Sequence, residues 1–209
     1  MKLGTAAASI GGASAASAAA VGGYHYLSQK ETVISIREAL KDAKLISTLT
    51  GDALTKQWVT EFKSAQNDIK EKIQELKSVT SEEDGGKKLE SWCLKQMDLD
   101  SKKHSETLEL VKKYCLIRDL ASQLSRNKKV LLGKSQQSEW SALYKKHKGS
   151  SATRADVGLT GETWSENKEN DELPVIQNWC EGTSKQDFLA SDNDTKYNKL
   201  IKWCTADGQ

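Results

Sequence analysis

Apolar and polar positions divide the 209-residue chain into stretches of different grain. From Leu3 to Leu27 it reads LGTAAASIGGASAASAAAVGGYHYL, without a single charge. That exceeds the ~20 residues a helix needs to cross a hydrocarbon core, although alanine, glycine and serine dominate it. Beyond it, apolar residues recur at helical spacing. Leu54, Trp58, Phe62, Ile69, Ile73 and Leu76 lie near a 3.6-residue period, predicting a helix over Ala53–Lys77 capped by Asp52. Thr80-Ser81-Glu82-Glu83 resembles a capping box, but Gly85-Gly86 predicts a break before a helix over Lys87–Met97. Ser101 is placed to cap a helix running through Cys115, and Asp192 one through Cys204. Leu116–Val130 is weakly patterned, Gly149–Leu173 reads as a long loop, and Pro174 suits a helix start. A minor β component is open at Thr32–Ile36 or Lys44–Leu49.

One pattern is written four times. Leu89-Glu-Ser-Trp92-Cys93, Val111-Lys-Lys-Tyr114-Cys115, Ile176-Gln-Asn-Trp179-Cys180 and Leu200-Ile-Lys-Trp203-Cys204 all read aliphatic-x-x-aromatic-Cys. On a helix, positions i, i+3 and i+4 share a face. The first pair of cysteines is 22 positions apart and the second 24. Upstream of each pair, Leu49-x-Gly51-x6-Trp58-x3-Phe62-Lys63 is echoed by Leu131-x-Gly133-x6-Trp140-x3-Tyr144-Lys145. The chain therefore reads as a unit of about 80 residues used twice. The expected fold is mainly α: two tandem helical modules, 30–124 and 125–209, after an N-terminal small-residue helix at 1–29.

The N-terminal segment admits three readings. Ala18-Ala19-Ala20 offers a signal-cleavage site, yet only Lys2 precedes a weak hydrophobic region. An uncleaved single-span anchor is the leading alternative, with Tyr24 and Tyr26 at interfacial positions. Gly4, Ala8, Gly12, Ala16 and Ala20 recur every four residues, a face suited to helix–helix association in lipid. The third reading is a low-complexity tail. A lipoprotein is not expected, because the first cysteine, Cys93, lies far from the N-terminus.

The remaining sequence is lean in apolar residues, at roughly a third against a usual ~45–50%. For a core this thin, disulfides Cys93–Cys115 and Cys180–Cys204 would each add ~3 kcal/mol in the chain-entropy model. Buried thiols are the alternative, and a four-cysteine zinc site lacks the usual C-x2-4-C knuckles. Trp58, Trp92, Tyr114, Trp140, Trp179 and Trp203 are expected to pack in the core, whereas Trp164, alone in the polar stretch, is a candidate surface contact.

Net charge is only +2, which argues against a polybasic nucleic-acid protein, but the balance hides a split. Residues 126–154 carry Arg126, Lys128, Lys129, Lys134, Lys145, Lys146, Lys148 and Arg154 against the single acid Glu139, whereas 155–209 carry five basic and eleven acidic groups. Either the two stretches face each other or are simply solvated, or the first forms a patch for an anionic ligand. His25, His104 and His147 have no histidine or cysteine partner at i+3 or i+4 for a metal, and no catalytic or phosphate-loop signature occurs. No catalytic residue, metal or cofactor is assigned.

The Ala/Gly/Ser-rich N-terminus, Trp58-x3-Phe62-Lys63 and the repeated Leu-x-x-Trp-Cys elements together resemble short paralogous proteins of haemotropic mycoplasmas. Tyr114 in place of tryptophan and the poorly matching Leu116–Val130 link depart from that pattern. The resemblance carries over no activity. It implies a wall-less bacterium living on red cells, large paralogous sets held to be surface antigens, and no eukaryotic glycosylation at the Asn193-Asp194-Thr195 sequon. The expectation is a non-enzymatic, single-pass cell-membrane protein with its C-terminal part outward (or secreted after signal cleavage), serving host interaction or antigenic display through a host-surface or protein partner. The alternative is an intracellular module whose segment 126–154 binds anionic lipid or, less favoured, nucleic acid.

Overall fold

A computed structural model describes residues 33–148, 153–161, 164 and 166–208. The N-terminal segment expected to be a signal or anchor, with its Gly4, Ala8, Gly12, Ala16 and Ala20 stripe, lies outside the described residues. Among those described, no helix is long and apolar enough to cross a membrane.

The structure is mainly helical. Among the described residues, nine α-helices follow in order: α1 (Ile36–Ala39), α2 (Gly51–Ser64), α3 (Gln66–Lys72), α4 (Glu82–Gln96), α5 (Ser105–Tyr114), α6 (Leu120–Arg126), α7 (Gln137–Lys148), α8 (Glu169–Ser184) and α9 (Thr195–Cys204). Short 3-10 turns join several of them. The only β features among the described residues are isolated bridges. Two of these, Ser35 with Asp100 and Leu45 with Leu116, fall where a minor β component was open.

Several local expectations are corrected. The helix expected over Ala53–Lys77 is two helices, because the chain leaves helical geometry at Ala65 (φ −136°). There the Ser64 hydroxyl donates back to the Glu61 carbonyl at 3.0 Å, drawing the last turn tight. Ile69, Ile73 and Leu76 nonetheless reach the core. Asp52 lies within the first turn of α2 rather than capping it.

Gly85-Gly86 does not break a helix. Ser81 caps α4, its hydroxyl accepting from the Asp84 amide at 3.1 Å, and the helix runs straight through both glycines. Their role is close packing. A Cβ on Gly85 would sit 2.2 Å from the Phe62 ring, and one on Gly86 2.8 Å from the Val59 backbone nitrogen. The pair thus lets α4 lie directly against α2, a contact that no larger residue permits.

Ser101 and Asp192 are not caps either. The Asp100 carboxylate accepts from the Lys102 and Lys103 amides at 2.9 and 3.3 Å, delaying α5 until Ser105. Before α9, Asn193 and Asp194 take left-handed conformations (φ 47° and 58°), and Asp192 pairs with Lys196 instead. Pro174 lies inside α8, whose start at Glu169 is favoured by Glu169, Asp171 and Glu172 in its first turn. The weakly patterned Leu116–Val130 link contains α6, capped by Asp119.

Buried apolar side chains form two clusters. One contains Ile36, Trp58, Phe62, Leu89, Trp92, Cys93, Tyr114 and Cys115; the other contains Leu120, Trp140, Tyr144, Ile176, Cys180, Leu200, Trp203 and Cys204. Backbone pairing repeats between them. The Ile46 amide donates to Cys115 and the Leu132 amide to Cys204, at 2.9 and 2.8 Å. Likewise the Ile36 amide donates to Leu99 and the Leu120 amide to Gln186, both at 2.9 Å.

This pairing matches Leu45-Ile46 with Leu131-Leu132, so Leu49-Gly51 and Leu131-Gly133 are not equivalent in space. Ile46 precedes Trp58 by twelve positions, whereas Leu132 precedes Trp140 by eight. Gly51 begins α2 with φ +57°, while Gly133 lies before α7 and its carbonyl accepts from the Trp140 indole at 3.0 Å. Despite two cores, Ser35–Gln209 forms one compact unit.

Candidate functional site

The four repeated motifs meet two by two. Cys93 at the end of α4 stands opposite Cys115 just after α5, and Cys180 on α8 opposite Cys204 at the end of α9. Both pairs are at disulfide distance, with Cα–Cα separations of 5.9 and 5.7 Å, and the structure joins both as disulfides. Each helix presents its cysteine beside the aromatic residue of the motif, and these aromatics are buried, except Trp179, which packs half-buried at the edge of its core.

Tyr114 departs from the tryptophan pattern and has a specific partner. Its hydroxyl donates to Asp68 at 2.6 Å, and Lys113 reaches the same carboxylate at 2.5 Å. The Lys113 contact, then the Tyr114 contact, holds the Asp68 carboxyl below the usual carboxylate range. Burial, reinforced by Asp68, pushes the Tyr114 phenol well above its ordinary value.

A second polar cluster joins the two halves. Glu61 on α2, 1% exposed, is gripped by Arg118 and by Arg126, the latter at 2.7 Å. Arg126 also donates to the Ser64 hydroxyl and the Lys113 carbonyl, at 3.1 and 2.8 Å. One turn earlier, the Gln57 amide donates to the Phe188 carbonyl and accepts from the Ala190 amide, at 3.1 and 2.7 Å. Lys44 and Asp187 add an exposed pair at 2.8 Å. Sequence reasoning missed this clasp. Its signal was the placement of Gln57 and Glu61 beside Trp58 on the buried face of α2, where polar groups are costly unless partnered.

The third cluster belongs to the second half. Arg154, 6% exposed, pairs with Glu172 at 2.8 Å, donates to the Thr160 and Gly161 carbonyls, and lies 5.0 Å over the Trp164 ring. Tyr144 donates to the same Glu172 at 2.6 Å. Trp164 stacks on Trp203 with ring centroids 5.7 Å apart and meets Tyr144 edge-on at 5.5 Å, so it covers the core and is not a surface contact. His147 lies against Trp203 at 4.4 Å with Nε2 2.8 Å from the Lys202 carbonyl oxygen. Burial moves its pKa below 6.5.

These contacts redistribute the basic segment 126–154. Arg126 and Arg154 are internal, drawn in by Glu61 and Glu172, and so lie outside any surface patch. Lys129 pairs with Asp207 at 3.4 Å and Lys134 with Glu181 at 2.7 Å, which brings the basic stretch against the acidic one. Lys134, then Lys185, holds the Glu181 carboxyl down at about 2. Lys128, Lys145 and Lys146 are exposed and Lys148 half-buried. No group of three His, Cys, Asp or Glu residues among those described is arranged to hold a metal ion.

Three shallow cavities accompany these features. One of about 200 Å³ is lined by Glu75, Lys88, Ser91, Trp92 and Lys95. A second, about 350 Å³, lies where Val59 and Glu83 meet Ala190. The third, about 150 Å³, reaches Cys180. What the fold defines is a helical protein of two stapled halves fastened by a buried polar clasp. No family model, curated protein or solved structure matches the chain.

Proposed function

We propose that this chain is an exported, N-terminally anchored surface protein, whose helical body serves host interaction or antigenic display without catalysing a reaction. The observation that carries this reading is the presence of two cysteine pairs at disulfide distance, one at the equivalent place in each half. Such pairs persist in oxidising surroundings and are rare where thiols are kept reduced. The uncharged stretch Leu3–Leu27 supplies the address. The intracellular alternative has less support, because two of its eight basic groups are held in buried ion pairs.

Peptide mapping by mass spectrometry without reduction, on protein taken from its source cells, tests the reading together with protease treatment of intact cells. Linked Cys93–Cys115 and Cys180–Cys204 peptides, and cleavage of the body by external protease, are expected. Four free thiols in a protease-protected protein would overturn it.

A further inference from the structure

The two staples differ in their surroundings. Cys93 and Cys115 are each 1% exposed, and the cavity beside their neighbour Trp92 reaches neither sulfur-bearing residue. Cys180 is 5% exposed and lines the 150 Å³ groove with Leu131, Leu132 and Trp140, while its partner Cys204 is fully buried and does not line it. The groove lies at the shorter connection of the second half, where eight positions rather than twelve lead to the motif tryptophan. Its volume corresponds to about five waters, enough for the reacting end of a small thiol. Lys134 and Glu181, 61% and 46% exposed, pair on its lining, and Lys185 adds a second cation to Glu181 at 2.8 Å. This trio carries one net positive charge, which favours the approach of a thiolate.

We propose that Cys180 is a thiol-exchange site, and that a small dithiol opens Cys180–Cys204 in the folded protein while Cys93–Cys115 stays closed. A dithiol's thiolate attacks the Cys180 sulfur, forming a mixed disulfide and expelling Cys204 as thiolate. The second thiolate of the same dithiol then attacks its own sulfur in the mixed disulfide and releases Cys180. The dithiol is oxidised by two electrons to its disulfide, and the protein disulfide is reduced by the same two. The consequence is loss of the α8–α9 staple alone. This rests on the oxidised state proposed above.

The test uses full-length, air-oxidised protein treated with dithiothreitol in native buffer, quenched at intervals with iodoacetamide and mapped by mass spectrometry. Cys180–Cys204 is expected to open roughly tenfold or more faster than Cys93–Cys115, since exchange rates follow access to the attacked sulfur. Gln177→Trp, which fills the groove from half-buried Gln177, should slow that opening and leave the other pair unchanged. Should that variant not fold, the exposed Lys134→Glu must slow opening by anionic glutathione. Equal rates, earlier opening of Cys93–Cys115, or no slowing in the folded variant would overturn the proposal. Free thiols in source-cell protein would instead overturn the surface reading, because the oxidised chain still answers this test.

Discussion

Replacing Glu61 by glutamine is the sharpest perturbation this fold offers. The substitution keeps the side chain's shape and removes only its charge. Glu61 is 1% exposed, and the Arg118 and Arg126 side chains are 9% and 17% exposed, so solvent can do little to replace the lost carboxylate. Both guanidinium groups remain charged after the change and repel each other across the neutral amide. Breaking one partner from a buried ion pair costs about 3–5 kcal/mol, because an uncompensated charge is left inside. For a compact unit of this length, that corresponds to a fall in Tm of roughly 6–20 °C.

Urea unfolding followed by tryptophan fluorescence, with calorimetry in parallel, measures both quantities. A compensated variant separates charge from packing: Glu61→Leu with Arg118→Met and Arg126→Met should recover much of the loss, since apolar replacement of a complete buried ion cluster is often neutral or stabilising. Loss below about 1 kcal/mol for Glu61→Gln, the range of surface pairs, would refute the assignment of the clasp as a buried electrostatic fastening.

Further outcomes follow from the same structure. Replacing Cys93 and Cys115 together by serine should lower stability by about 3 kcal/mol in denaturant titration, and the Cys180/Cys204 double variant by a similar amount, because the closed loops are 22 and 24 residues. Gly85→Ala should cost about 1–3 kcal/mol by thermal unfolding, since its methyl meets the Phe62 ring at 2.2 Å; an unchanged Tm would show that α2 and α4 can separate freely. His147 sets a pH dependence. Burial lowers its native pKa below 6.5, so the unfolded chain binds the proton more readily, and stability declines as pH falls through 6.5 toward the native value. His147→Gln should therefore lose less stability than the native chain between pH 7.5 and 5.5, and identical losses would exclude this role.

Much of the architecture was written in local pattern. Helical spacing points to the helical class, and reading the repeated aliphatic-x-x-aromatic-Cys motifs as two successive pairs selects Cys93–Cys115 and Cys180–Cys204 among three possible connectivities. Capping chemistry was legible to within one residue: Thr80–Glu83 reads as a capping box, and the cap is Ser81, whose hydroxyl accepts from the Asp84 amide in its own next turn. What depends on distant partners was not legible. Gly85-Gly86 reads as a break by intrinsic propensity, yet the approach of Phe62 and Val59 requires glycine within the helix. Segment 126–154 reads as a basic patch by composition, yet Glu61 and Glu172, from 65 positions before Arg126 and 18 after Arg154, draw both arginines inside.

The sequence by itself determined the helical class and the pairing of the four cysteines, which follow from periodicity and from a motif repeated along one chain. Tertiary structure decided how the halves are fastened, which charges are internal, and which of two equivalent disulfides faces a groove. Those properties depend on burial and on partners far apart in the chain, since the energy of a charge or the reactivity of a sulfur is set by what surrounds it.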